Sequence, residues 1–177
     1  LKKLTHEEVG KKRVTLDEIK KVGRHPIYVM CDNIRSIYNV GSIFRTSDAV
    51  LIEKLYLTGY TPHPPRPEIE KVALGSTNSV PWEYFQNPME AINDLKSKGV
   101  KIASLEITSN SRKYNELDKN DFPVCMILGN ELTGVSGELI DASDFSVEIP
   151  QYGFKHSMNV SVAYGIAVFE MVKILNS

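Results

Sequence analysis

Apolar residues in this chain come in short runs separated by polar stretches rich in Asn, Ser, Gly and Pro. Ile27 to Cys31 is one such run, with Pro26 before it and Asp32-Asn33 after it, as a buried strand requires. Lys54 to Thr58, Val100 to Ile107, Val124 to Leu128 and Phe145 to Ile149 read as further strands. Between them the period changes. Val40, Ile43 and Phe44 share one face of a helix over Val40 to Val50, with Asn39 as its N-cap and Arg45 about 100° away from Phe44. Four prolines between Thr61 and Pro67 demand an extended surface loop, followed by a short helix over Glu68 to Leu74. Asn87-Pro88 predicts an N-cap with Pro at the first helical position, and Met89, Ile92 and Leu95 recur at helical spacing until Gly99. The polar connection from Thr108 to Asp121 carries no strong pattern. A long apolar helix from about Asn159 to Leu175 ends the sequence, and its small residues Ser161, Ala163, Gly165 and Ala167 predict unusually close backbone packing. Alternating strands and helices give an α/β fold, a mainly parallel sheet flanked by helices.

Composition narrows the class. A chain of 177 residues with 42% hydrophobic content builds one core without disulfides or a structural metal. No apolar run approaches the roughly 20 residues of a membrane span, so no membrane partner is expected. The opening LKKLTHEEVGKKR lacks an apolar core and a small-residue cleavage pattern, so a cytoplasmic location is expected. Cys31 and Cys125 sit inside strand-like runs with no CxxC spacing or histidine cluster nearby, which predicts buried reduced thiols and no metal site. The net charge of −1 is unevenly spread. Residues 1–25 carry eight Lys/Arg, Lys12 among them, against four acids, a balance of +4 that leaves −5 for the remainder. The chain thus divides into a basic N-terminal helical segment, 1–25, and a single domain, 26–177.

Parallel α/β sheets gather chemistry in loops beyond the carboxyl ends of their strands. Three loops here mix glycine with hydrogen-bonding side chains: Asp32 to Arg45, Leu128 to Ser136 and Ile149 to Asn159. Each precedes or opens a helix, whose first backbone N–H groups lack internal partners. Gly129 and Gly134 are too far apart for a GxGxxG fingerprint and no Walker A lysine follows, which disfavours dinucleotide and P-loop sites. Ser157 neighbours His156, but there is no GxSxG elbow, and adjacent residues seldom point correctly for proton transfer between them.

The segment Asn39-Val40-Gly41-Ser42-Ile43-Phe44-Arg45 resembles the first motif of the SpoU/TrmH branch of the SPOUT methyltransferases. Gly129-Asn130-Glu131 with Gly134 resembles the second, and Ile149-Pro150 through Ser157-Met158-Asn159-Val160 the third. All three occur in order, and the resemblance spans roughly residues 27 to 175. It implies a C-terminal deep trefoil knot, an exception to the rule against knotted chains. It also implies S-adenosyl-L-methionine as cofactor, tRNA or rRNA as partner, and transfer of a methyl group to a ribose 2'-hydroxyl. Base-nitrogen methylation, as in other SPOUT branches, and a non-catalytic RNA-binding assembly factor are the competing readings.

The family holds its cofactor at the ends of three strands, which the resemblance places here at Leu105 and Glu106, at Gly129 and Asn130, and at Ile149, with Ser157 and Met158 closing the third loop. Bulk at Gly129 would hold the main chain away from that ligand. The resemblance makes Arg45 the catalytic arginine, with Asn39, Glu131, Ser157 and Asn159 orienting it, the ribose or the adjacent phosphate. Guanidinium stays protonated in almost any protein environment. Arg45 therefore grips phosphate and stabilises charge on the 2'-oxygen, leaving the proton to a substrate phosphate or to transient deprotonation. Arg35 and Lys155 lie in the same loops and are candidates for RNA phosphate. Family members are typically homodimers joined through the C-terminal helix, with both subunits shaping the RNA site.

Overall fold

A computed structural model describes every residue except Lys12, whose place in the basic segment therefore lies outside the described residues. Two short helices lead in, α1 (His6–Gly10) and α2 (Leu16–Ile19). Each starts on a capping box, Thr5 with Glu8 and Thr15 with Glu18, which satisfies two orphan N–H groups reciprocally. Neither buries a residue.

The remaining elements are β1 (His25–Asp32), α3 (Ile37–Ala49), β2 (Ile52–Thr58), α4 (Pro67–Ala73), β3 (Trp82–Phe85), α5 (Pro88–Ser97), β4 (Lys101–Leu105), β5 (Arg112–Lys113), β6 (Val124–Leu128), α6 (Gly137–Ala142), β7 (Phe145–Glu148) and α7 (Val160–Asn176). The seven strands form one sheet in the order β3-β2-β1-β6-β4-β7-β5. Every pairing is parallel, so the expected mainly parallel sheet is parallel throughout.

Both faces of the central strands are buried, and strand alternation sorts their side chains into two cores. Ile27, Val29 and Cys31 of β1 face α3, α4 and α7, packing with Phe44, Ile69 and Val168. Met30 of β1 and Cys125 and Ile127 of β6 face the other way, onto Ile92 and Leu95 of α5 and Leu139 of α6. Both cysteines are free and buried. Burial disfavours the thiolate and pushes both thiols far above their ordinary range. The helix face of Val40, Ile43 and Phe44 is fully buried while Arg45 is exposed, as the spacing predicts.

Three local expectations need correction. Ser36, not Asn39, caps α3, accepting from the Asn39 N–H at 3.3 Å. Asn39 is buried inside the first turn with its amide committed elsewhere. The close packing expected along α7 also fails at Gly165, where an added Cβ would meet nothing within 4 Å. Tyr164 and Ala167 make the packed face instead, and the Tyr164 hydroxyl shares a 2.8 Å hydrogen bond with buried Ser47 of α3. Finally, β5 lies within the connection that showed no pattern, and β3 and α6 arise where apolar spacing set no bounds.

Candidate active site

Strands β6, β4 and β7 are neighbours, and a pocket of about 600 Å³ opens beyond their carboxyl ends. Leu105 ends β4 and Glu106 follows it, Gly129 and Asn130 follow β6, and Ile149 follows β7. Ser157 and Met158 close it from the loop before α7. All seven residues assigned to the cofactor thus line one cavity. Leu128, Val147 and Val160 add apolar wall, while its charged lining is Glu106, Glu131 and Glu148, without lysine or arginine among the described residues.

Gly129 has a structural duty that the sequence reading placed elsewhere. A Cβ there would lie 2.2 Å from Gly134 C and Val135 N. It is the chain's own returning loop that excludes a side chain. That loop is closed by paired backbone hydrogen bonds between Asn130 and Gly134, at 3.0 and 2.9 Å. Gly134 has φ +71°, and the Glu106 carboxylate packs against it, accepting from the Val135 N–H at 3.1 Å.

The Asn130 amide is spent on positioning this loop. Its Nδ2 donates to the Asn33 carbonyl and to the Tyr60 hydroxyl, both at 2.7 Å, and its Oδ1 accepts from the Leu132 and Thr133 N–H groups. Asn33, held at φ 53°, accepts from the Tyr60 N–H through Oδ1. Asp32 beside it is almost fully buried and accepts from the Ser136 N–H at 3.3 Å. Burial raises its carboxyl above the ordinary range, opposed by the Ser136 hydrogen bonds. Sequence reasoning missed Asn33 and Tyr60 as supports; the polar pair directly after β1 was the available signal for Asn33, and nothing marked Tyr60.

Glu131 joins the second loop to the first. Its carboxylate accepts from the Arg35 N–H at 2.8 Å, the Ser36 N–H at 3.0 Å and Asn39 Nδ2 at 2.8 Å. The first two are free N–H groups at the start of α3, where an anion is also favoured by the helix dipole. Partial desolvation works against ionisation, yet these hydrogen bonds hold the Glu131 carboxyl below its ordinary value. Asn39 Oδ1 in turn accepts from Asn159 Nδ2 at 3.0 Å, and Asn159 Oδ1 caps α7 through the Ser161 N–H at 2.9 Å. The three loops are therefore connected side chain to side chain, Glu131 to Asn39 to Asn159.

A carboxyl whose folded pKa is depressed adds stability above the unfolded value, about 4.3, and loses it as pH falls through the folded value. Replacing Glu131 by Gln turns one accepting oxygen into a donor facing an N–H group. Glu131→Gln should lower Tm at pH 7 by roughly 2–4 °C, the shift that about 1 kcal/mol gives in a chain this size. Exposure of the carboxylate keeps the figure small. Melts between pH 3 and 7 should show the gap to wild type closing on the acid side; a gap independent of pH would contradict this account.

Arg45 and Lys155 stand apart from this network, and Arg35 joins it through its backbone. Arg45 is exposed, lines neither the pocket nor the shallow depression formed by Arg35, Ser36 and Glu131, and has no hydrogen-bond or ion-pair partner among the described residues. Arg35 borders that depression, and its backbone N–H serves Glu131. Lys155 is exposed, with Nζ 5.5 Å from the Phe154 ring centroid. Pocket residues not anticipated as functional include Gln151, Glu148 and His156. Among the described residues no cluster of His, Cys, Asp or Glu is arranged to hold a metal ion, and no helix is long and apolar enough to cross a membrane.

A parallel sheet whose strand ends carry a partly apolar pocket, built from loops that run into helices, defines an α/β protein that binds a small organic molecule there. The model of the SpoU rRNA Methylase family matches residues 26–169, and the chain belongs to that family. The tRNA (guanosine(18)-2'-O)-methyltransferase of Aquifex aeolicus is 34% identical over 156 residues, 88% of this chain and 72% of that enzyme. The Escherichia coli enzyme of the same name is 28% identical, covering 83% of this chain and 63% of its own length. Among solved structures, the A. aeolicus TrmH/SpoU tRNA modifying enzyme superposes with a TM-score of 0.81 at 31% identity, over 91% of this chain and 82% of that one. The AdoMet-bound rRNA methyltransferase of Sinorhizobium meliloti gives 0.80 at 29% identity, over 90% and 61%. The chain thus spans less than two thirds of the E. coli and S. meliloti proteins.

Proposed function

We propose that this chain transfers a methyl group from S-adenosyl-L-methionine to a ribose 2'-hydroxyl of tRNA or rRNA. The observation that carries this reading is the connected row Glu131, Asn39 and Asn159 beside the pocket, uniting all three family motifs in one site. Family membership and the names of the relatives, tRNA 2'-O-methyltransferases and an AdoMet-bound rRNA methyltransferase, support it.

The pocket suits that cofactor chemically. Its volume of about 600 Å³ lies within the range of small-molecule sites. Apolar walls from Leu105, Leu128, Val147 and Ile149 fit a flat heterocycle, and three carboxylates without a lysine or arginine fit a ligand carrying positive charge on sulfur. When bound, S-adenosylmethionine supplies an electrophilic methyl group. Leu105, Glu106, Gly129, Asn130, Ile149, Ser157 and Met158 hold the ligand. Glu131, Asn39 and Asn159, with Ser157, orient the acceptor ribose, and in-line placement is the main thing they contribute. Arg45 grips the phosphate next to that ribose and stabilises charge on the 2'-oxygen. Arg35 and Lys155 bind flanking phosphate, as does the basic segment 1–25 ahead of the catalytic domain 26–177.

The same reading includes a homodimer joined through α7 and a trefoil knot in the C-terminal part, acting in the cytoplasm. Val162, Ile166 and Phe169 support the dimer: they follow i, i+4, i+7 spacing on one face of α7 and are 52%, 37% and 55% exposed. Arg45, which its own chain leaves exposed, supports a site completed by two subunits.

Incubation with methyl-labelled S-adenosylmethionine and unmodified RNA, followed by alkaline hydrolysis, tests the acceptor. A 2'-O-methyl group blocks cleavage of its own phosphodiester, so label should appear in dinucleotides. Label confined to mononucleotides would shift the reading to base methylation, and no incorporation with intact RNA binding would shift it to an assembly factor.

A further inference from the structure

We infer that Tyr152 and Phe154 stack on unpaired bases of the RNA beside the acceptor ribose, so that the substrate is RNA presented as a single strand or a loop. This rests on the ribose-methylation reading above and names how that site takes hold of its substrate.

Among the described residues, Tyr152 and Phe154 are the most exposed large apolar side chains apart from the terminal Leu1, at 96% and 90%. A single exposed apolar residue is ordinary, but two rings bared almost completely within three positions mark a contact surface. Gln151 and His156 line the pocket while 152–155 do not, so the rings stand on the outer arc of a loop whose ends are pocket wall. Each ring is at most two positions from a lining residue, about 8 Å of chain. Between them, a Cβ added at Gly153 would meet nothing within 4 Å, which leaves the space beside both rings open. No backbone–backbone hydrogen bond involves residues 150–158 among the described residues, so the arc can settle against a base without breaking one.

Charge decides what the rings hold. Residues 26–177 carry the −5 that remains beside the +4 of 1–25, and the pocket's charged lining is three carboxylates, so the mouth of the site repels a polyanion. Base faces are neutral, and stacking them on aromatic rings draws RNA in without a basic surface. Lys155, with Nζ 5.5 Å from the Phe154 ring centroid, sets one cation beside the rings for the phosphate between stacked bases. In a duplex the base faces are covered by their neighbours, which leaves unpaired RNA as the partner that fits. A second copy of the chain is the competing occupant. Its natural seat is the α7 face of Val162, Ile166 and Phe169, aliphatic at two of three positions. The arc instead runs ring, glycine, ring, cation, which suits a base and its phosphate.

The test measures binding of a labelled mixed-sequence RNA dodecamer, of the same strand annealed to its complement, and of an abasic strand with the same phosphates. Wild type is compared with the double variant Tyr152→Leu/Phe154→Leu, with Tyr152→Phe/Phe154→Tyr, and with Lys155→Ala. Stacking is worth about 5–150-fold in affinity per base, so the leucine variant should lose at least about 10-fold on the single strand. On the abasic strand and the duplex, which wild type binds more weakly, it should lose nothing. The variant that keeps both rings should bind as wild type does. Losing the rings should leave the salt dependence as it is, whereas Lys155→Ala should flatten the slope of log K against log salt by about 0.7. S-adenosylmethionine affinity and Tm should hold in the leucine variant, and its kcat/KM on unmodified tRNA should fall with its RNA affinity. Single-strand binding within twofold of wild type would overturn the proposal, as would an equal loss on the abasic strand. A shift of the leucine variant to a smaller species in sedimentation would overturn it too, by giving the rings to a second copy. In each of these cases, alkali-resistant dinucleotides from wild type keep the ribose reading standing; their absence overturns both.

Discussion

Arg45→Ala should cut the methyl-transfer rate by at least about 10²-fold while changing S-adenosylmethionine affinity by less than threefold. The size follows from the role proposed for it: a cation that stabilises charge developing on a transferred-to oxygen is worth about 10²–10³ in rate. The selectivity follows from the place. Arg45 lies outside the pocket, is exposed and has no partner to lose among the described residues, so neither the cofactor site nor the fold depends on it. Arg45→Lys should recover only part of the loss, because an ammonium keeps the charge but lacks the planar fork that matches phosphate. Single-turnover assays with calorimetry of cofactor binding check both, and full activity in Arg45→Ala would remove the residue from the mechanism.

The largest effect on cofactor binding is expected at Gly129. Its missing Cβ would sit 2.2 Å from the backbone at Gly134 and Val135, atoms that cannot rotate away. Gly129→Ala therefore forces open the loop that Asn130 and Gly134 close, and with it the wall formed by Glu106 and Val135. Overpacking of this kind costs about 1–3 kcal/mol. A loss of S-adenosylmethionine affinity beyond tenfold, with a lower Tm, is the expected result. Gly153→Ala is the control: nothing lies within 4 Å of its Cβ, so affinity and Tm should hold. Equal behaviour of the two variants would show that the close approach at Gly129 has no consequence.

Where burial alone decides structure, local sequence was enough. β1 and β6 are short apolar runs because both faces of a central parallel strand are covered, and α3 announced its buried face through Val40, Ile43 and Phe44. β3 escaped notice because Trp82 to Phe85 is only half-buried at the sheet edge, and β5 because Arg112–Lys113 contains no apolar residue. The start of α3 was misplaced by three residues for a tertiary reason. Asn39 is a good capping residue, but its amide is held between Glu131 and Asn159, 92 and 120 positions away, which no local pattern encodes. The pocket wall was legible through motif spacing, since Leu105, Gly129 and Ile149 each stand at the carboxyl end of a strand. The supports behind it, Asn33 and Tyr60, were not, because their partners become neighbours only after β1, β2 and β6 align.

The row from Glu131 through Asn39 to Asn159 has a sense of direction. Glu131 only accepts, Asn39 donates toward it and accepts from behind, and Asn159 donates forward while its own oxygen turns to the first N–H groups of α7. Each amide can satisfy both neighbours in one orientation alone, so reversing Asn39 or Asn159 sets two acceptors and two donors face to face. The three loops therefore behave as one component: replacing a single position in the row breaks its match with both neighbours, and only coordinated replacement restores it.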